Sequence, residues 1–441
     1  MTIPIDRLYH YIENILKDIH GDTVIYRFSP HGSKKLEDLK PLHHLDWITR
    51  LTAPPIVCHD QEPLNFEFYE NYPVFADTWS QWQKKYHCNQ VNLKQSNIFD
   101  ATVLLHSEQR SADVEKYQQA GYIPVYYWSH AIIAQDWFRF AYHVQQRKQI
   151  QKTFLIYNRS WAGTREYRVK FAELLHEKKL SHRCQTSFNL IDPEHNTHVD
   201  QHVFKNAVWK PCKDMTDLYA TNCMPSTSSA DFNLEDYEAT QVEVVLETLF
   251  DDSRWHLTEK TLRPIACGQP FILAATPGSL KYLQSYGFKT YHNIWDESYD
   301  SITDPYQRLL AIMNVMQEIS DWDAETANKK IQQAQEIANF NKSHFFSSDF
   351  FVQVNVELTR NLTQAMNQLV QSNTSAVFIE RRKQQCQHHD LKQVLTGKIP
   401  HPSGEPLIPC EPGKEATLCS WGIVQVLKAA RYYYNKKHSI D

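Results

Sequence analysis

The feature that most limits how this chain can fold is a recurring alternation of short apolar runs, many ending on a polar residue, with stretches of helical spacing. TVIYRF, PPIVCHD, YPVFAD, ATVLLHSE and GYIPVYYWSH follow one another between Asp22 and about residue 150, and KTFLIYN, QTSFNLI, VEVVLETLF and QPFILAA come after it. Runs of this length, rich in β-branched and aromatic residues, are strand signals. HSEQRSADVEKYQQAG reads as strand end, loop, helix and closing glycine before the next strand, which is a βαβ unit. RSWAGTREYRVKFAELLHEKKL repeats the pattern, with Tyr167, Phe171, Leu174 and Leu175 on one helical face. The alternation predicts an α/β chain whose ligands sit outside the carboxyl ends of the strands.

A chain of 441 residues is too long for one ordinary core. The expected architecture is two Rossmann-like domains, residues 1–150 and 151–371, facing a cleft, with a helical C-terminal extension at 372–441. Before the first strand, MTIPIDRLYHYIENILKDIHG reads as an amphipathic helix closed by Gly21. Residues 304–340 and 345–371 read as two long helices. The extension is rich in Pro and Gly at IPHPSGEPLIPCEPGKE and ends in a basic aromatic helix, VQVLKAARYYYNKKH. That helix either packs on the body through Val424, Val426, Leu427 and Ala430, or meets an anionic partner through its cations and tyrosines.

Charge and cysteine usage narrow the class. A formal charge of −5 argues against a general nucleic-acid binder. The nine cysteines are scattered, without a C-x-x-C pair, so neither a disulfide framework nor a structural zinc site is expected and a cytoplasmic location fits. No signal peptide is legible, and no apolar run approaches the roughly 20 residues of a membrane span. His43–His44 and His388–His389 lack further ligands at metal spacing, and no metal is expected. Asp296 and Glu297 read as solvated loop charges.

HLTEKTLRPIACGQP, at residues 256–270, carries the chemistry. Glu247 closes the preceding strand, Thr258 is placed to cap a helix, and Glu259 lies near its positive end. Lys260 in that position is unusual for its charge, and Arg263 follows about one turn later. Two readings stand: a capping segment whose cations face water, or an anion site in which Lys260 and Arg263 face one phosphate.

VVLETLFDDSRWHLTEKTLRPIACGQPFILAATPG resembles the donor-binding segment of fucosyltransferases with the GT-B fold: Glu247, Thr258, Glu259, Lys260, Gly268, Pro270 and Gly278 match in order. His256 stands where that family usually has Tyr, and DDSR is a longer acidic insertion. KTFLIYNRSWAGTREYRVKFAELL resembles the start of the family's second domain, where Arg165 or Arg168 matches an arginine that contacts donor phosphate. The resemblance implies a nucleotide-sugar donor. Lys260 and an arginine among Arg159, Arg165 and Arg168 would neutralise its diphosphate, and Glu247 and Glu259 would accept from ribose or sugar hydroxyls. It also implies a base after a strand of the first domain, which is Glu62 or Asp60 in IVCHDQEP. His106 and Glu108, and His130 with Asp136 and Arg139, are further cleft candidates.

The expected function is a metal-independent, inverting glycosyltransferase acting on a hydroxyl acceptor. Two alternatives stand beside it: a phage-type enzyme glycosylating a hydroxylated DNA base, and a non-catalytic nucleotide-sugar or glycan-binding protein.

Overall fold

The computed structural model describes residues 24–27, 40–41, 56–59, 63–64, 102–119, 123–213 and 232–372, with Ile12 as a single helical position. The expected N-terminal helix (Ile12 apart), the YPVFAD strand, Asp60, Glu62, the paired histidines and the C-terminal extension beyond residue 372 lie outside the described residues. The described part falls into two compact units, one running to Ser129 and resuming at Val354, the other spanning His130–Gln353. The boundary between them falls near residue 130 instead of the expected 150, and 354–371, expected in the second domain, groups with the first unit.

In the first unit five strands form one sheet: β1 (Val24–Arg27), β2 (Lys40–Pro41), β3 (Ile56–His59), β4 (Thr102–His106) and β5 (Ile123–Tyr126). Their order is β2-β1-β3-β4-β5, parallel throughout except for β2, which runs against β1. Helix α1 (Ala112–Gln119) joins β4 to β5, the βαβ unit expected from HSEQRSADVEKYQQAG. Helix α2 (Ser129–Trp137) then leads into the second unit.

The second unit is built on a four-stranded parallel sheet of β6 (Lys152–Ile156), β7 (Cys184–Thr186), β10 (Thr240–Leu246) and β11 (Phe271–Ala274), in the order β11-β10-β6-β7. A two-stranded hairpin of β8 (Ile191–Asp192) and β9 (Thr197–His198) lies between β7 and β10 in sequence. Helix α3 (Tyr167–Glu177) connects β6 to β7, a short α4 (Leu234–Glu238) precedes β10, and α5 (Glu259–Cys267) connects β10 to β11. Right-handed crossovers put α3 and α5 on opposite faces of the sheet. Parallel strands covered by helices on both faces are buried on both faces and rich in apolar residues. Accordingly Val242, Val244, Val245 and Leu246 of β10, and every residue of β11, are buried. The architecture is mixed α/β with parallel sheets.

Four further helices follow: α6 (Ser279–Ser285), α7 (Pro305–Asp321), α8 (Ala324–Phe345) and α9 (Ser348–Ser372). The helix expected over 304–340 is thus two. Asp323 breaks it by accepting from the Thr326 amide (2.8 Å) and hydroxyl (3.1 Å), which starts α8 with its own cap. No helix among the described residues is long and apolar enough to cross a membrane.

Candidate ligand site at the carboxyl ends of β6 and β10

From β6 the chain moves through α3 to β7 on one side, and from β10 through α5 to β11 on the other, so the winding reverses between the adjacent strands β6 and β10. A crevice opens outside the carboxyl ends at such a reversal, because the two connecting segments diverge there. The segments at this place are Tyr157–Glu166 after β6 and Glu247–Thr258 after β10. Arg168 joins them. Its Nη1 donates to Asn158 Oδ1 (3.1 Å) and the Ser160 carbonyl (2.6 Å), and its Nη2 to the carbonyls of Leu246 (2.5 Å) and Glu247 (3.0 Å). Burial draws its pKa below the ordinary arginine value. Arg168 is therefore a buried brace holding two loops together; both ends of its guanidinium are engaged by protein oxygens rather than offered to a phosphate.

The start of α5 resolves the T-E-K triplet into separate tasks. Thr258 is the cap, its hydroxyl accepting from the Lys260 amide at 3.3 Å. Glu247, fully buried, accepts from the Thr258 amide (2.9 Å) and hydroxyl (2.7 Å), the Thr261 amide (3.2 Å) and hydroxyl (2.5 Å), and the Thr248 amide (3.1 Å). Its carboxylate fills the role of an anion at the positive end of the helix, and the ligand-hydroxyl role expected for it is taken by the protein itself. Gly268, in the left-handed region at φ 71°, ends the helix, and the Gln269 amide bonds back to the Pro264 carbonyl at 2.8 Å.

Beyond the cap, charged groups adjoin one another. Glu259 Oε1 accepts from Lys260 Nζ at 2.8 Å, while Glu259 Oε2 lies 3.4 Å from His130 Nδ1. The His130 ring meets that of His256 edge-on, with centroids 5.2 Å apart. Glu259, His130 and His256 are buried, whereas the Lys260 side chain keeps 22% exposure, so the ammonium is the member of this group within reach of a solute. Arg263 does not join it. It pairs with buried Glu243 (2.6 Å), bonds Tyr237 Oη (3.1 Å) and stacks over Tyr157 at 4.4 Å. Burial opposes its charge, but Glu243 outweighs burial and Arg263 titrates well above its usual range. The shared anion expected for Lys260 and Arg263 is thus not supported, because β10 supplies Arg263 with its own carboxylate.

On the β6 side, Arg159 and Arg165 converge on Glu194, with Nη2–Oε distances of 3.6 Å and 2.5 Å. Burial raises the Glu194 pKa, yet Arg165 and then Arg159 hold it below the ordinary value. Buried Asp192 fixes the loop. One oxygen accepts from the Ser160 hydroxyl (2.6 Å) and the Trp161 and Ala162 amides (2.7 and 2.9 Å), and the other accepts from the Glu194 and His195 amides (3.0 Å each). Against the upward push of burial these bonds keep Asp192 well below the usual carboxylate range. Glu166 holds the following segment in a similar way, accepting from His202 Nε2 (2.8 Å) and the amides of Lys205 (3.0 Å) and Asn206 (3.3 Å). Asp192, Glu194 and Glu166 did not stand out in the sequence; the Asp-Pro-Glu turn at 192–194 was a signal for the first two, and none pointed to Glu166.

In the first unit, burial lowers the pKa of His106 to about 4, which keeps the ring neutral, and Glu108 Oε1 accepts from the Leu64 amide at 2.6 Å. Asp136 serves Arg139, whose Nη1 also donates to its carbonyl at 2.6 Å. Asp296 is a solvated loop charge that bonds the Ser298 amide (2.8 Å). Glu297 departs from the expectation: it accepts from the Tyr291 amide (2.9 Å), and burial pushes its pKa up to about 7. Among the described residues no group of metal-ligating side chains is assembled. No protein-family model, curated protein or solved structure matches this chain.

Proposed function

We propose that the chain is a metal-independent, inverting glycosyltransferase of GT-B type, with two Rossmann-like domains, that moves a sugar from a nucleotide-sugar donor to a hydroxyl acceptor. The observation that carries this reading is the meeting of the fucosyltransferase-like T-E-K segment with the arginine-bearing loop at the reversal between β6 and β10. Lys260 stands at the start of α5 and Arg159 and Arg165 on the loop after β6, cations suited to a donor diphosphate whose two charges become three as the nucleoside diphosphate leaves. In the transfer these cations stabilise the charge that develops on the leaving nucleoside diphosphate. Glu259 is buried beside Lys260 and orients its ammonium toward the diphosphate, while Glu247 holds the helix start. The acceptor hydroxyl loses its proton to Glu62 or Asp60.

The test is a panel of nucleotide sugars incubated with the purified protein, with nucleotide release measured over time. Release from one donor that accelerates with a hydroxyl acceptor supports the reading. Tight donor binding without release in the presence of any acceptor supports a binding protein instead.

A further inference from the structure

We propose that Glu194 is a built-in occupant of the Arg159–Arg165 pair, a carboxylate that holds the place of a diphosphate and yields to it. The inference rests on the reading above, in that the ligand expected there is a donor diphosphate.

The pairing is constructed rather than incidental. Both arginines sit on the loop between β6 and α3, and Glu194 sits on the turn of the β8–β9 hairpin. Asp192 fastens the two pieces from the inside, with one oxygen on the 160–162 loop and the other on the amides of Glu194 and His195. The position of Glu194 relative to the arginines is therefore set by a buried neighbour two residues away. Solvent nonetheless reaches the group, because the side chains of Arg159, Arg165 and Glu194 retain 45%, 17% and 26% exposure.

One carboxylate brings a single charge to two guanidinium groups. A diphosphate brings more charge and more oxygens, so it can take both arginines in paired hydrogen bonds where Glu194 reaches one of them closely and the other at 3.6 Å. A monoanion gains nothing by replacing Glu194, whereas a polyanion does. The pair thereby selects diphosphates against single-charge anions. Because Asp192 keeps the backbone in place, the arginines stay arranged when the site is empty of ligand.

Titration calorimetry with inorganic pyrophosphate, on the wild-type protein, Glu194→Gln and Arg165→Gln, tests this. Glu194→Gln should bind pyrophosphate about two- to fivefold more tightly at low salt, the range of a half-exposed ion pair, with the gain shrinking as salt is raised. Arg165→Gln should bind it more weakly than wild type. Unchanged or weaker binding by Glu194→Gln would overturn the proposal, as would a gain insensitive to salt. Pyrophosphate contains neither sugar nor nucleoside, so tightening without turnover of any nucleotide sugar would leave this inference standing and remove the transferase reading. Turnover with no tightening would do the reverse.

Discussion

Replacing Glu247 by glutamine separates a structural carboxylate from a ligand-binding one. The side chain keeps its shape but exchanges one oxygen for an NH2 group. Where Oε1 is kept as oxygen, the contacts to the Thr258 amide and to the Thr261 amide and hydroxyl survive, though without the charge. The new NH2 group then faces the Thr248 amide, a donor that cannot turn round, and the Thr258 hydroxyl, which already accepts from the Lys260 amide. One buried amide without an acceptor costs about 1–3 kcal/mol. Loss of a negative charge at the helix start adds about 0.5–2 kcal/mol. The expected destabilisation is therefore about 1.5–5 kcal/mol. Hydrogen exchange of the α5 amides reads it best, since a chain of two units need not unfold in one step. Opening of α5 should become easier by that amount. A variant whose α5 exchanges within about 0.5 kcal/mol of wild type, yet binds nucleotide sugar less well, would refute the structural assignment and return Glu247 to the ligand.

Arg263 and Glu243 form a buried ion pair, so Arg263→Met should destabilise the second unit by about 3–5 kcal/mol by stranding a charge, and Arg263→Met with Glu243→Leu should recover much of the loss in urea unfolding; a double variant no more stable than the single would contradict this. Burial raises Glu297 to about 7 and Asp300 to about 6, so the stability held by their protonated forms is full below their unfolded values and fades as pH rises through 6–7. Exchange protection around residues 278–301, corrected for intrinsic rates, should accordingly be greater at pH 5 than at pH 8, and Glu297→Gln should flatten the difference; protection that grows with pH would reverse the sign and defeat the assignment.

The sequence disclosed local features well where the chemistry is local. β10 and β11 were legible because both are dominated by buried apolar residues, VEVVL and FILA, and α5 because Thr258 and Gly268 bracket it. The break in 304–340 was hidden, since the helical period runs through it and the one sign is the capping pair Asp323 and Thr326. Long-range partners were the other blind spot. Three helical residues leave about 60° between Lys260 and Arg263. Which way the arginine turns depends on Glu243, twenty residues earlier on β10. The same holds for the arginines after β6: Arg165 and Arg168 were equivalent as text, and the distant carbonyls of Leu246 and Glu247, with Asn158 and Ser160, engage Arg168 inside. Asp192 and Glu194 lie in a polar stretch without period, and their partners lie about thirty residues upstream.

The central claim, a nucleoside diphosphate held at the reversal between β6 and β10, is tested most directly by calorimetric titration of GDP, UDP, ADP and CDP into the wild-type protein and Lys260→Ala. At least one nucleotide should bind the wild type, and the variant should lose about 1.5–3 kcal/mol, more than tenfold in Kd, while keeping its fold by circular dichroism. Binding by a folded Lys260→Ala equal to that of wild type, or no binding of any of the four, would contradict the account.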